Sequence, residues 1–308
     1  MVIRNIISID DLSKEEIMEI LCDAKKLDLM PEVKKSKFLN NKIVSTMFFE
    51  ASTRTKLSFE AAAQKLGANI LPFDSIGSSI SKGESLLDTV RMLESYADIL
   101  IIRHPNDGAT RLATEYSSKP VINAGDGSNQ HPSQTLLDLY TIKEEKKTLE
   151  NLTIAFVGDL KYGRTVHSLT KAIAHFNPKK LYFISPELLR LPKDLLDELD
   201  NSKINYEILE DYRQCLSEID VFYMTRIQKE RFPDIEDYEK LKGVYVINKE
   251  NIEYKVKEDM IIMHPLPRVD EISTDLDNTK HALYFKQAKN GIPIRQAMML
   301  KVLNMEVR

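Results

Sequence analysis

Phe48-Phe49-Glu50-Ala51-Ser52-Thr53-Arg54-Thr55-Lys56-Leu57-Ser58-Phe59-Glu60 is the stretch that decides how the chain folds. The apolar run 43–49 leading into it reads as a buried strand of a parallel sheet. Phe59, Ala62, Ala63 and Leu66 then recur at helical spacing, so a helix begins near Ser52 or Thr53. The first turn of a helix leaves backbone N–H groups unpaired at the positive end of its dipole, which favours an anion. Three hydroxyls and one arginine stand on that turn. A carboxylate could be held with less; this donor capacity suits a phosphate. An ordinary Ser/Thr cap followed by a surface arginine fits the same four residues equally well. The choice rests on the remainder of the chain.

Outward from this turn, short apolar runs alternate with amphipathic segments. Strands are expected at 43–49, 69–73, 98–103 and 120–123, with helices at 53–66, 83–97 and 108–117. A longer helix over 133–147 carries Leu136, Leu137, Leu139, Tyr140 and Ile142, and its charged end, 143–147, reads as solvated. The pattern restarts at Leu152-Thr153-Ile154-Ala155-Phe156-Val157-Gly158-Asp159, a buried strand running into a turn. Further strands are expected at 180–184, 205–209, 219–225, 244–247 and 260–263, and a last helix over 292–305. This is an α/β fold: two doubly wound domains, each with a central parallel sheet, and an active site in the cleft between them. Two such units are joined by the 133–147 helix.

Composition narrows the function classes. The 308 residues suit two domains of ordinary size, and 43% apolar content is enough for packed cores. No apolar run approaches the roughly 18 residues of a membrane span. The N-terminus shows no secretory pattern, and only Cys22 and Cys215 occur, far apart. They form no metal pattern, so no metal is expected, and they point to a reducing, cytoplasmic setting. A net charge of −4 gives no reason to expect nucleic acid, so any anion affinity must be built locally.

Several polar motifs follow predicted strands, where an open α/β sheet binds its ligands. Arg103-His104-Pro105 and Asn129-Gln130-His131-Pro132-Ser133-Gln134 should lie near the 52–55 turn. Gly125 and Gly127 allow the loop before His131 positive φ angles. Taken alone His131 reads better as a capping or core histidine; with Gln134 one turn on, a carbonyl-binding pair emerges. Ser78-Ser79-Ile80-Ser81-Lys82-Gly83-Glu84-Ser85 reads as a surface loop, although a lysine on such a loop can swing into a site as a point charge. Gly158-Asp159-Leu160-Lys161-Tyr162-Gly163-Arg164 lacks the close Gly-x-Gly turn and the lysine of a nucleotide fingerprint. Arg164 and Arg226 both follow strands, with Gln228 two residues after the second. Two guanidinium groups opposite an anion site suit a dicarboxylate, or else form interface salt bridges. In His264-Pro265-Leu266-Pro267-Arg268 two prolines leave nearby carbonyl groups without sheet partners, able to accept a substrate –NH2; taken alone, the motif reads better as a plain proline-rich turn.

Together these motifs resemble the catalytic chains of aspartate carbamoyltransferases, within the aspartate/ornithine carbamoyltransferase superfamily, with matches from Phe49 to Arg295. Ser52-Thr53-Arg54-Thr55 is similar to the carbamoyl-phosphate signature of the whole superfamily. Asp159-Leu160-Lys161-Tyr162-Gly163-Arg164-Thr165-Val166-His167-Ser168, Thr225-Arg226-Ile227-Gln228-Lys229-Glu230-Arg231 and His264-Pro265-Leu266-Pro267-Arg268 resemble the aspartate-specific members. Ornithine-specific relatives carry a cysteine in the late motif, where this chain has Pro265.

The resemblance implies carbamoyl transfer from carbamoyl phosphate to the α-amine of L-aspartate, the committed step of de novo pyrimidine biosynthesis. It implies that 1–132 plus 290–308 bind carbamoyl phosphate and 133–289 bind aspartate. Ser52, Thr53, Arg54, Thr55 and Arg103 are expected to hold the phosphate. Thr55, Arg103 and His131 are expected to donate to the carbonyl oxygen, and Gln134 with the carbonyls of Leu266 and Pro267 to receive the –NH2. Arg164, Arg226 and Gln228 are expected to clamp aspartate, Lys82 to serve both substrates, and Ser78 and Arg295 to complete the substrate set. Arg54, Thr55, Lys82, Arg103 and His131 form the catalytic subset. No cofactor, metal, nucleic acid or membrane is implied. The expected assembly is a homotrimer with shared active sites, either bare or tied to separate regulatory chains. A transcarbamoylase for another amine such as ornithine, or a non-catalytic anion-binding subunit, are the alternatives.

Overall fold

The apolar run ahead of the 52–55 turn forms strand β1 (Ile43–Phe48), buried from Val44 onward. The computed structural model describes residues 5–75, 78–227, 235–253 and 256–308. These divide into two compact units, Met1–Leu137 with Asn290–Arg308, and Asp138–Lys289.

The first unit contains α1 (Lys14–Leu29), α2 (Glu32–Lys35), β1, α3 (Thr53–Lys65), β2 (Asn69–Asp74), α4 (Leu86–Glu94), β3 (Ile99–His104), α5 (Ala109–Tyr116) and β4 (Val121–Asp126). Its four strands are parallel in the order β2-β1-β3-β4. Register sets Phe48 beside Arg103 and His104 beside Asp126, so the polar motifs leave the sheet at one edge. Met47, Leu100, Ile102 and Val121 from three adjacent strands pack with Val90, Leu93 and Ala113 from the helices.

Helix α6 (Pro132–Lys146) carries the division between the units. The second unit continues with β5 (Thr153–Val157), α7 (Arg164–Ala174), β6 (Lys180–Ile184), α8 (Lys193–Asn201), β7 (Tyr206–Leu209), β8 (Val221–Met224), α9 (Ile235–Leu241), α10 (Lys249–Ile252) and β9 (Ile261–Met263). Its strands are all parallel in the order β7-β6-β5-β8-β9. Helix α11 (Tyr284–Val302) completes the chain's regular structure. Among the described residues no helix is long and apolar enough to cross a membrane.

The doubly wound α/β expectation is borne out in both units, with local differences. The segment 244–247 forms no strand: Tyr245 and Ile247 are buried and Val244 and Val246 exposed, but pairing is limited to a bridge between Ile247 and Ile272. Alternating burial comes from docking on the core, without a ladder partner. Helix α11 begins at Tyr284, ahead of the expected 292, and continues through Pro293. The proline removes one N–H, yet Tyr284, Gln287, Ile294 and Met298 are all buried along it; packing outweighs the local breaker. Lys146 is not solvated, its side chain being 5% exposed and bonded to Asp259 Oδ2 at 2.5 Å. Helix α1 was not expected, although Ser13 and Glu16 form a capping box at its start.

Candidate active site

In an open parallel sheet, loops diverge where the strand order reverses, and that crevice takes the ligand. The first unit reverses between β1 and β3. Residues 52–55 follow β1 and Arg103 is the penultimate residue of β3, so both stand at this point. Ser52 occupies the N-cap position of α3 with φ −158°, but its hydroxyl makes no capping bond. The simple cap reading therefore fails for Ser52. Thr53 and Arg54 are exposed, while Thr55 is buried.

Arg103 is anchored on two sides. Its Nη1 donates to the Ala124 carbonyl at 3.1 Å, and Nη2 pairs with Glu50 Oε1 at 2.7 Å. Burial pulls the guanidinium below its ordinary pKa, opposed by Glu50 and reinforced by the charge of Arg54. The two arginines therefore share one electrostatic environment, with Glu50 as its counter-charge. Sequence reasoning gave Glu50 no role; its place between β1 and the 52–55 turn was the available signal.

The loop from β4 to α6 is built around Asp126, which is fully buried. Its carboxylate accepts from the N–H of Gly108 (2.9 Å) and of Gln130 (3.2 Å), and from the side chains of Asn123 (2.8 Å) and Asn129 (3.1 Å). Gly127 has φ +50°, and its N–H donates to the His104 carbonyl at 2.9 Å. A Cβ there would lie 2.9 Å from the Pro105 carbonyl oxygen, so glycine is required where the two loops meet. His131 follows directly. Its carbonyl accepts the Gln134 and Thr135 N–H groups at the start of α6. Its ring is buried, with Nδ1 3.4 Å from Ser133 Oγ. The capping reading thus holds for the His131 backbone. Gln134 is half-buried on the first turn of α6.

Ser78 caps its own 3-10 turn, accepting from the Ile80 N–H at 3.4 Å and donating to the Ser75 carbonyl at 2.8 Å. Lys82 is exposed at the end of that turn. Arg295 lies elsewhere in the unit, on α11. It is buried, its guanidinium carbon 4.9 Å from the centroid of the Phe59 ring, one turn along α3 from Thr55.

The second unit reverses its strand order between β5 and β8. Arg164 opens α7 after β5, and Arg226 follows β8, both half-buried. The two strand ends nearly touch at Gly158, whose φ is +115° and whose missing Cβ would lie 2.3 Å from the Thr225 carbonyl oxygen. Thr225 Oγ1 donates to the Val157 carbonyl at 3.1 Å, fixing the residue before Arg226. Gln228 lies outside the described residues. Next in the sheet comes β9, followed by the 264–268 motif. Arg164, Arg226, Leu266 and Pro267 therefore leave three neighbouring strands at the same edge. Neither the Leu266 nor the Pro267 carbonyl accepts a hydrogen bond from the described residues. Arg268 is committed elsewhere, paired with Asp277 and lying over the Tyr284 ring at 5.1 Å. Among the described residues no group of three or more His, Cys, Asp and Glu is arranged to hold a metal ion.

Sequence reasoning also missed the residues behind this motif. His264 Nε2 lies 2.7 Å from Glu271 Oε1, and the His264 N–H donates to Gln287 Oε1 at 2.8 Å. Burial lowers the His264 pKa, favouring the neutral ring. Burial alone would raise the Glu271 pKa, but the bond from His264 and the N–H groups of its own loop bring it below its ordinary value. These partners are scattered along the sequence and leave no local spacing to find.

Residues 4–144 match the family model for the aspartate/ornithine carbamoyltransferase carbamoyl-P binding domain, and 150–302 match that for the Asp/Orn binding domain. The chain is 52% identical over 302 residues to the aspartate carbamoyltransferase catalytic subunit of Methanocaldococcus jannaschii, covering 97% of this chain and 98% of that one. The catalytic subunit of that organism's aspartate transcarbamoylase, as a solved structure, superposes with a TM-score of 0.91, 52% identity and 98% coverage of both chains. Aspartate transcarbamoylase from Trypanosoma cruzi, solved in complex with carbamoyl phosphate and aspartate, gives a TM-score of 0.90 at 35% identity, covering 97% of this chain and 96% of that chain. With both of its units matched in order, and relatives alike over nearly their whole length, the chain belongs to the aspartate/ornithine carbamoyltransferase family.

Proposed function

We propose that the chain transfers the carbamoyl group of carbamoyl phosphate to the α-amine of L-aspartate, giving N-carbamoyl-L-aspartate and phosphate. The observation that carries this reading is the pair of switch points. One unit presents a hydroxyl-rich helix start with two arginines, and the other presents two more arginines beside backbone carbonyls that accept no hydrogen bond from the described residues. The Trypanosoma cruzi relative, solved with carbamoyl phosphate and aspartate, supports the same pair of substrates.

In this proposal Ser52, Thr53, Arg54, Thr55 and Arg103 bind the phosphate group, with Ser78 and Lys82 contributing from their turn. Thr55, Arg103 and His131 donate to the carbamoyl oxygen as it gains negative charge in the tetrahedral intermediate. Gln134 and the carbonyls of Leu266 and Pro267 accept from the –NH2. Arg164, Arg226 and Gln228 hold the two aspartate carboxylates. Arg295 completes the set from its place on the Phe59 ring. The amine forms a C–N bond to the carbonyl carbon, the bond to the phosphate oxygen breaks, and the phosphate takes the amine proton. Catalysis comes from positioning and electrostatics.

A homotrimer that shares its active sites, working in the cytoplasm, belongs to the same proposal. The exposure of Lys82 suits a residue lent to a neighbouring copy. The test is carbamoyl transfer by the purified chain, with L-aspartate and L-ornithine assayed in parallel. Turnover with aspartate alone is expected. Turnover with ornithine would overturn the role given to Arg164, Arg226 and Gln228.

A further inference from the structure

Backbone carbonyls can recognise a substrate only if something holds the loop that carries them. The 264–268 segment lies in no helix or strand. Leu266 adopts φ +54°, a region that residues with side chains seldom occupy, so its conformation needs support from outside.

That support is a run of buried hydrogen bonds. The Leu266 N–H donates to His264 Nδ1 at 2.8 Å. An N–H pointed at Nδ1 makes this nitrogen the acceptor, so the ring proton sits on Nε2 and is donated to Glu271 Oε1 at 2.7 Å. The Glu271 carboxylate also accepts from the N–H groups of Val269 and Asp270, both at 3.2 Å, which ties down the far side of the loop. On the other side, the His264 N–H donates to Gln287 Oε1 at 2.8 Å. Gln287 Nε2 donates to Asp138 Oδ1 at 2.7 Å, and Tyr223 Oη donates to Asp138 Oδ2 at 2.8 Å. Tyr223, Asp138, Gln287, His264 and Glu271 are each at most 5% exposed. A buried polar set with its members paired specifies one arrangement, because breaking any bond strands a desolvated group.

We infer that His264 is a positioning residue: with Glu271 and Gln287 it sets the Leu266 and Pro267 carbonyls for the carbamoyl –NH2. This rests on the proposed function. His264 touches no substrate and acts through the loop.

The test uses acetyl phosphate, which replaces the carbamoyl –NH2 by a methyl group and so cannot donate to those carbonyls. Dissociation constants for carbamoyl phosphate and acetyl phosphate are measured on the whole chain and on His264→Asn, His264→Gln and Glu271→Gln. Asparagine keeps an acceptor near the position of Nδ1. Glutamine reaches towards Glu271 but offers nothing to the Leu266 N–H. The expected result for His264→Gln is a loss of about tenfold in carbamoyl phosphate affinity, the scale of a lost hydrogen bond or two, with acetyl phosphate unchanged. His264→Asn, which keeps the acceptor for the Leu266 N–H but gives up the bond to Glu271, should show the same selective loss at a smaller size than His264→Gln. Glu271→Gln, which keeps the fold's packing, should show the same selective loss at a smaller size. Equal weakening of both ligands, or of neither, would overturn the inference. An unaltered chain that turns over aspartate but binds both phosphates equally would also overturn it while sparing the functional reading. One that binds no carbamoyl phosphate would overturn both.

Discussion

The two units solve the same problem with different materials. Each is a doubly wound parallel sheet, and each presents charged side chains where its strand order reverses. In the first unit the presenting backbone is regular: the α3 start, the end of β3, and a loop stapled by one buried carboxylate, Asp126. In the second the arginines are placed in the same regular way. The two carbonyls beside them, however, depend on five buried polar side chains drawn from β8, α6, α11 and the loop itself. Side-chain recognition needs a strand end; backbone recognition needs tertiary support.

Removing the charge at the first switch point tests the comparison hardest. Arg54→Ala should lower turnover by about 10³-fold with little change in thermal stability, since Arg54 is exposed and its loss leaves no cavity. Near-normal turnover would remove Arg54 from the phosphate site. The matching change in the second unit should act on the other substrate. Arg226→Ala is expected to raise the KM for aspartate about 10- to 100-fold, the scale of charge-assisted hydrogen bonds. An unchanged aspartate dependence would end the clamp assignment.

Acid separates the units more gently. Burial holds His104 in the first unit, and His167 and His264 in the second, below their ordinary value of 6.5. Unfolded, these rings bind protons below that value which the folded chain refuses, so the stability they contribute is complete above it and lost as pH falls. Calorimetric unfolding should therefore shift to lower temperature between about pH 7 and about pH 5, more for the unit with two such rings. Transitions that ignore pH would contradict the burial of all three. The smallest effect concerns the thiols. Cys22 on α1 is exposed, whereas burial pushes the Cys215 thiol up to about 12. A thiol reagent should find Cys22 in the native protein and Cys215 only after unfolding; simultaneous reaction would show the second core to be open.

The same contrast explains what could be read in advance. Ser52, Arg54, Arg103, Arg164 and Arg226 each lie within a few residues of an apolar run, so strand prediction carried the site prediction with it. The 244–247 segment misled because alternating burial resembles a strand, and only a sheet neighbour makes one. The early start of α11 was hidden by Gly291 and Pro293, whose local preference yields to packing along the helix. Gln287, His264, Glu271 and Asp138 became neighbours through the fold, and no spacing announces that. The Ser13–Glu16 capping box was visible and went unread.

Titration of carbamoyl phosphate into folded Arg54→Ala and folded Arg226→Ala, each against the unaltered chain, tests the division of labour most directly. Binding should be lost in Arg54→Ala and remain close to that of the unaltered chain in Arg226→Ala. Equal loss in both, or loss in Arg226→Ala alone, would contradict the assignment of the carbamoyl donor to the first unit.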